Sequence, residues 1–193
     1  AHAGRGSEIV GPVLRIGIDF GNTIADYRNV FAPVARDIGL VDDAFTGDKA
    51  DVRAFLRDRP GGESYWQRLQ GQVYGRYIGL AAIMPGLGGF LDVCKNHDAD
   101  IFIVSHKTEY GHHDDARINL RDAATGWLAD NRFFAADGYA IDPGNLVFKA
   151  TREEKIDAIR ALALDHFIDD LAEIFTDDGF PATTRGHLLQ STR

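Results

Sequence analysis

Short apolar runs bounded by polar residues alternate with longer segments of helical periodicity along most of the chain. The apolar runs predict four buried strands at 13–18, 100–104, 145–148 and 166–168, and a fifth strand at 186–189 at the edge of the sheet. Between these runs, apolar residues recur every three or four positions, which predicts helices. Because strands and helices alternate, we predict a three-layer α/β/α, Rossmann-like domain built on a parallel sheet.

The segment 25–84 departs from this alternation. Its pattern predicts helices at 30–38, 49–57 and 63–79 and no evident strand. A crossover between parallel strands needs only one helix. We therefore predict a small α-helical cap inserted after the first strand at 25–84, with 1–24 and 85–193 forming the core domain. The alternative is that these helices extend the helical layer of the core.

Composition and charge limit the classes of partner. The chain has 193 residues, a formal net charge of −8 and a single cysteine, Cys94. This length allows one domain with a sizeable core. The acidic balance argues against a nucleic-acid or anionic-membrane partner, and one cysteine excludes an internal disulfide framework and favours the cytoplasm. The oligomeric state stays open.

Polar residues that can carry chemistry follow the predicted strands. Asp19 comes directly after the first strand, Ser105 after the second, and Asp169 with Asp170 after 166–168. In open α/β sheets, ligands bind at the carboxyl ends of the strands. Three carboxylates there would supply the hard oxygen ligands that Mg²⁺ prefers. The simpler interpretation is that each acid only caps a turn or is solvated.

A lysine near these acids could neutralise an anionic substrate. The run Thr151-Arg-Glu-Glu154 has the form of a capping box, which places Lys155 in the first turns of a helix. Lys149 and Lys107 are alternatives for the same role. A loop that contains His112 and His113 matches no common zinc spacing, so we expect a solvated loop near the mouth of the site.

The order of strand-Asp19, strand-Ser105, helix-Lys155 and strand-Asp169-Asp170 resembles the four motifs of the haloacid dehalogenase (HAD-like) superfamily, over roughly residues 13 to 175. The resemblance implies that Asp19 is a nucleophile acting through an aspartyl-phosphate, with Ser105 and Lys155 contacting the phosphate. It also implies Mg²⁺ bound by Asp19, Asp169, Asp170 and the backbone carbonyl of Gly21.

Gly21 departs from the family pattern, in which phosphatases usually carry a second Asp two residues after the nucleophile. A carboxyl group there could protonate the leaving oxygen and later activate water, which is commonly worth about 10²–10⁴ in rate. The open alternatives are an activated substrate, a proton from His106 or a cap residue, slow hydrolysis of the phosphoryl-enzyme, cleavage of a C–P or C–halogen bond, and loss of catalysis.

The predicted cap would select the substrate. The substrate-binding candidates combine residues after the second strand with polar and aromatic residues of the third cap helix: Ser105, His106, Lys107, Trp66, Gln70, Tyr74 and Arg76. Ordinary core packing is the alternative for the aromatic residues. The run Trp66–Gly75 looks like that of bacterial HAD-like proteins associated with surface polysaccharides, which favours a sugar phosphate.

Two functions are therefore carried forward. The first is a Mg²⁺-dependent HAD-like phosphatase or phosphotransferase acting on a small phosphorylated metabolite, with atypical acid–base chemistry. The second is a catalytically silent HAD-like protein that binds a metabolite or a partner. Retention of Ser105, the lysine candidates and the predicted metal ligands favours the enzyme.

Overall fold

The computed structural model describes residues 11–190, so the outer ends of the predicted core domain, 1–10 and 191–193, lie outside the described residues. The strands in chain order are β1 Arg15–Ile18, β2 Ala25–Asp26, β3 Ala82–Ile83, β4 Asp100–His106, β5 Leu146–Lys149, β6 His166–Asp169 and β7 Arg185–Leu188. The helices are α1 Phe31–Asp37, α2 Lys49–Arg57, α3 Gly62–Tyr74, α4 Leu87–Asn96, α5 Leu120–Asp130, α6 Arg152–Ala161 and α7 Ala172–Thr176.

The central sheet has the order β5-β4-β1-β6-β7, and every neighbouring pair is parallel. Successive side chains of β4 point to opposite faces. Ile101 and Ile103 pack in the cluster that contains residues of α4 and α5, whereas Phe102 and Val104 pack in the cluster that contains residues of α6 and α7. Helices therefore cover both faces, and the predicted three-layer parallel α/β fold is confirmed.

Several predicted boundaries were wrong. Val13 and Leu14 are largely exposed, and the first strand begins at Arg15. The third helix ends at Tyr74 rather than at 79, because the chain leaves helical geometry at Gly75. The helix between β4 and β5 begins at Leu120, because the side chain of Asn119 caps it by accepting from the amides of Arg121 and Asp122.

The segment 25–84 also contains strands that the sequence pattern did not indicate. β2 and β3 form a two-residue antiparallel pair at the two ends of the segment, with Ala25 opposite Ile83. The chain therefore leaves the core and returns to it at one place. Between the pair, α1, α2 and α3 pack against one another. This arrangement supports our proposal that the segment is a cap.

Within residues 11–190, every helix falls short of the length and apolar character needed to cross a lipid bilayer.

Candidate active site

The parallel sheet gathers polar side chains at one edge because β1, β4 and β6 are adjacent and end on the same side. Asp19 directly follows β1, Ser105 lies near the end of β4, and Asp169 is the last residue of β6. The amide of Asp19 donates to the carbonyl of Ile168 at 2.9 Å, so the turn after β1 is tied to the neighbouring strand. Asp19, Ser105 and Asp169 are 7%, 3% and 1% exposed. These three side chains are therefore largely protected from water.

Lys155 joins two of these acids. Its ammonium group donates to Asp19 Oδ1 and to Asp169 Oδ2, both at 2.7 Å. Burial alone would lower the pKa of Lys155, but the attraction of the two carboxylates outweighs it and raises the pKa. Lys155 is therefore a buried cation. Burial raises the pKa of Asp19, and the contact with Lys155 opposes part of this rise. The contact therefore favours the ionised carboxylate that a nucleophile needs.

The start of α6 explains how Lys155 reaches the acids. The Thr151 hydroxyl accepts from the amide of Glu154, as the predicted capping box requires. The Glu154 carboxylate, however, accepts from the amide of Ala150 rather than from that of Thr151. The helix nevertheless begins at Arg152, so Lys155 lies in its first turn and its side chain reaches the site. Of the three candidate lysines, Lys155 is the one that contacts Asp19.

Three carboxylates form an acidic cluster suited to a divalent cation. Oxygen atoms of Asp19, Asp169 and Asp170 lie within 4.8 Å of one another. Although Asp170 is exposed to the cleft, partial burial of its carboxyl group, together with the charges of Asp19 and Asp169, raises its pKa to about 6. Lys155 neutralises only part of this negative charge. The hard oxygen donors and the remaining repulsion both fit Mg²⁺.

Lys107 is a second cation near Asp19, in a different environment. Its ammonium lies over the ring of Phe20 at 5.3 Å and over that of Tyr74 at 5.0 Å. Burial lowers the pKa of Lys107 to about 8, although the carboxylate of Asp19 acts in the opposite direction. The adjacent His106 is exposed, and its Nε2 lies 2.8 Å from the carbonyl oxygen of Ala150.

A cavity of about 600 Å³ opens over these groups. Its wall includes residues that follow β1, the tip of β4, and residues of α3: Gly21, Tyr27, Gln67, Gln70, Tyr74 and Ser105. A neighbouring cleft of about 900 Å³ shares Asn22, Lys49 and Asp170 with it. His112 also lines the smaller cavity, so part of the predicted His-containing loop lies at its rim.

Two of the predicted substrate-binding residues lie elsewhere. Trp66 is only 3% exposed and stacks on Phe31 with ring centroids 5.3 Å apart, so it belongs to the core. Arg76 is exposed beyond the end of α3, and its guanidinium lies over the ring of Tyr77 at 5.6 Å. Gln70 and Tyr74, from the same predicted set, do line the cavity.

Tyr27 and Lys49 are among the cavity residues that the sequence analysis did not single out. Tyr27 follows the turn after β1 and has the pattern of an ordinary aromatic residue, and Lys49 that of the first residue of a helix. In the structure, the Lys49 ammonium donates to the Tyr74 hydroxyl at 3.1 Å. No local pattern predicts either position, because each depends on how the segment 25–84 folds over the sheet.

Comparison by sequence gives no relative: no family model matches the chain, and no curated protein matches it. Comparison by structure finds proteins of similar fold. A hydrolase from Streptococcus pneumoniae TIGR4 is similar with a TM-score of 0.55 and 15% identity, over 93% of this chain and 94% of that one. A HAD-superfamily hydrolase from Geobacter sulfurreducens has a TM-score of 0.49 and 14% identity, over 93% and 94%. At these identities, the likeness concerns the fold alone.

Proposed function

We propose that this chain, whose fold is that of the HAD-like hydrolases, is a Mg²⁺-dependent phosphatase or phosphotransferase acting on a small phosphorylated metabolite. The observation that carries the proposal is the position of Lys155, whose ammonium lies 2.7 Å from both Asp19 and Asp169 at the ends of adjacent strands. Such an arrangement favours the ionised form of a buried carboxylate and leaves a positive charge beside it. Phosphoryl transfer needs both, a nucleophile and compensating positive charge.

In the proposed reaction, a carboxylate oxygen of Asp19 attacks phosphorus and forms an aspartyl-phosphate while the substrate oxygen leaves. Ser105, at the tip of β4, would donate a hydrogen bond to a phosphoryl oxygen, and Lys155 and Lys107 would supply positive charge. Water then attacks phosphorus and releases Asp19; a second alcohol in its place would give phosphotransfer. Asp19, Asp169, Asp170 and the Gly21 carbonyl would hold Mg²⁺, which would offset repulsion between the nucleophile and an anionic substrate.

The cavity supports a polar, hydroxyl-bearing metabolite such as a sugar phosphate. Gln67 and Gln70 on α3 offer amide donors and acceptors, and Tyr74 offers an aromatic ring and a hydroxyl. These groups suit a substrate whose own hydroxyls must be paired when water is excluded. In the neighbouring cleft, Lys49 and Arg53 lie one helical turn apart on α2 and could pair with a second anionic group.

The experiment that tests the proposal measures phosphate release with and without Mg²⁺ across sugar phosphates, nucleotides, acyl phosphates and an activated aryl phosphate. We expect Mg²⁺-dependent release of phosphate that stops when a chelator removes the metal. A folded protein that binds Mg²⁺ but releases no phosphate from any of these compounds would contradict an enzyme of this class. That result would favour the alternative, a catalytically silent binding protein.

The environment of Lys107 predicts a pH dependence. Because its pKa is lowered to about 8, the side chain is cationic below that pH and loses its charge above it. If this charge attracts the substrate phosphate, kcat/KM should fall about tenfold per pH unit above pH 8. Lys107→Arg keeps its charge throughout this range, so its profile should stay flat there. A fall of equal steepness at the same pH in both proteins would assign the titration to another group.

A further inference from the structure

The proposed reaction leaves one requirement unmet, a proton for the departing oxygen. Gly21 has no side chain, Lys155 is engaged with Asp19 and Asp169, and the Nε2 of His106 lies against the carbonyl of Ala150. General acids act by hydrogen-bonding the leaving atom, so the donor must line the cavity that contains the nucleophile. The residues in the cavity wall are therefore the ones to search.

Tyr27 lines that cavity and carries a buried hydroxyl without a hydrogen-bond partner. The residue is only 1% exposed and lines the same cavity as Asp19 and Gly21. Within the described part of the chain, its hydroxyl is one of two buried side-chain polar atoms without a hydrogen-bond partner, the other being the hydroxyl of Thr23. Buried polar groups are nearly always paired, and an exception calls for an explanation such as a bound ligand or a catalytic role.

The position of Tyr27 relative to Gly21 strengthens this explanation. The atom nearest to where a Cβ on Gly21 would lie is Cε2 of Tyr27, 4.0 Å away. The Tyr27 ring therefore borders the space that a side chain at position 21 would enter. The Tyr27 ring also packs edge-on against that of Tyr74 with centroids 5.0 Å apart, and this contact helps to hold the Tyr27 ring in place.

The electrostatic surroundings keep the hydroxyl protonated. Burial raises the pKa of Tyr27 well above its usual value, and the proximity of Tyr74 and Asp19 adds to the effect. A neutral phenol can donate a hydrogen bond, whereas a phenolate cannot. The Tyr74 hydroxyl differs because it has a partner, accepting from the Lys49 ammonium at 3.1 Å, and this contact accounts for its position without a bound ligand.

We propose that Tyr27 is a catalytic residue whose phenolic hydroxyl donates its proton to the oxygen that leaves phosphorus, an inference that rests on the proposed function. As the Asp19–phosphorus bond forms and the bond from phosphorus to the leaving oxygen breaks, that oxygen takes the Tyr27 proton. An alkoxide is a strong base and takes the proton as it forms. In the second step, the attacking water gives a proton to the phenolate and the bond between phosphorus and Asp19 breaks, which restores both residues.

Leaving-group dependence separates this role from a structural one. Tyr27→Phe removes a single oxygen and keeps the ring that packs on Tyr74. With benzyl phosphate, whose alkoxide leaves poorly, we expect kcat/KM, which reports the steps up to formation of the aspartyl-phosphate, to fall about 10²–10³-fold, within the range for loss of general acid catalysis. With p-nitrophenyl phosphate, whose leaving group needs little help, the loss should stay below about tenfold. A purely structural change would lower both rates by the same factor.

Three further variants complete the test. Tyr74→Phe removes a neighbouring hydroxyl from the same cavity. It should leave the ratio of kcat/KM for benzyl phosphate to kcat/KM for p-nitrophenyl phosphate as in the wild type. Tyr65→Phe, on an exposed tyrosine outside the cavity, should change neither rate. Gly21→Asp in the Tyr27→Phe background should recover part of the benzyl phosphate activity, because no atom lies closer than 4.0 Å to the new Cβ.

Unfolding provides a readout that does not depend on turnover. Because the Tyr27 hydroxyl has no partner, Tyr27→Phe should leave the thermal midpoint unchanged or raise it. A lower midpoint would mean that the hydroxyl has a structural partner and would overturn the inference, as would an unchanged ratio of the two rates. If the wild type shows no Asp19-dependent turnover of either probe, the proposed function fails, and this inference fails with it.

Discussion

Asp19→Asn is expected to abolish phosphate release, lowering kcat by about 10⁴- to 10⁶-fold, as removal of a nucleophile does in other hydrolases. The amide is nearly isosteric with the carboxylate but is a very poor nucleophile towards phosphorus. Lys155 would keep its contact with Asp169 at 2.7 Å, so the cation does not lose all its partners. The variant should therefore fold, and its defect should lie in the chemical step.

The measurement is phosphate release under saturating Mg²⁺, beside the thermal midpoint of each protein. Asp130→Asn is a matched control because Asp130 is exposed at the end of α5, away from the cavity. The control should keep wild-type rates. Undiminished turnover in Asp19→Asn would exclude the aspartyl mechanism, whereas an unfolded Asp19→Asn protein would direct the test to Asp19→Ser.

Lys155→Met is expected to destabilise the protein by about 3–5 kcal/mol, the usual cost of removing one partner from a buried ion pair. Lys155 is 3% exposed and holds two carboxylates that are themselves 7% and 1% exposed. Methionine fills a similar volume but leaves Asp19 and Asp169 facing each other without a cation. Turnover should be lost as well, because the same charge is proposed to contact the phosphate.

Urea unfolding of the wild type and of Lys155→Met measures the difference in their free energies of unfolding. Lys149→Met is the matched control: Lys149 ends the neighbouring strand β5, and none of the described ion pairs involves it. Its substitution should cost less than about 1 kcal/mol, as is usual for surface positions. Equal stability of the wild type and Lys155→Met would contradict a stabilising contact of Lys155 with Asp19 and Asp169. Loss of activity in Lys149→Met alone would assign the phosphate-neutralising role to Lys149.

The sequence predicted those parts of the fold that depend on local pattern. Residues 101–104 are apolar throughout and lie in a central strand that is buried on both faces, so a short apolar run was enough to predict it. Asp19 and Asp169 could be placed together because parallel strands end at the same edge of a sheet. Val13 and Leu14 misled the prediction because an apolar run does not indicate where pairing with neighbouring strands begins.

The walls of the cavity could not be predicted in the same way. Helical spacing groups Trp66 with Gln70 and Tyr74, but it cannot say which edge of the shared face meets the core and which meets solvent. In the structure, Trp66 stacks on Phe31 while Gln70 and Tyr74 line the cavity. Tyr27 was missed for a related reason: its importance comes from an unpaired hydroxyl, and pairing is a property of the tertiary fold.

The most direct test of the central claim, that Asp19 is the nucleophile, is to look for the phosphoryl group on it. The wild type and Asp19→Asn would be quenched in acid during turnover of p-nitrophenyl phosphate with Mg²⁺, and their peptides examined by mass spectrometry. We predict that the peptide containing Asp19 carries one added phosphoryl group in the wild type and none in Asp19→Asn. A phosphoryl group on a different residue, or undiminished phosphate release by Asp19→Asn, would contradict the account.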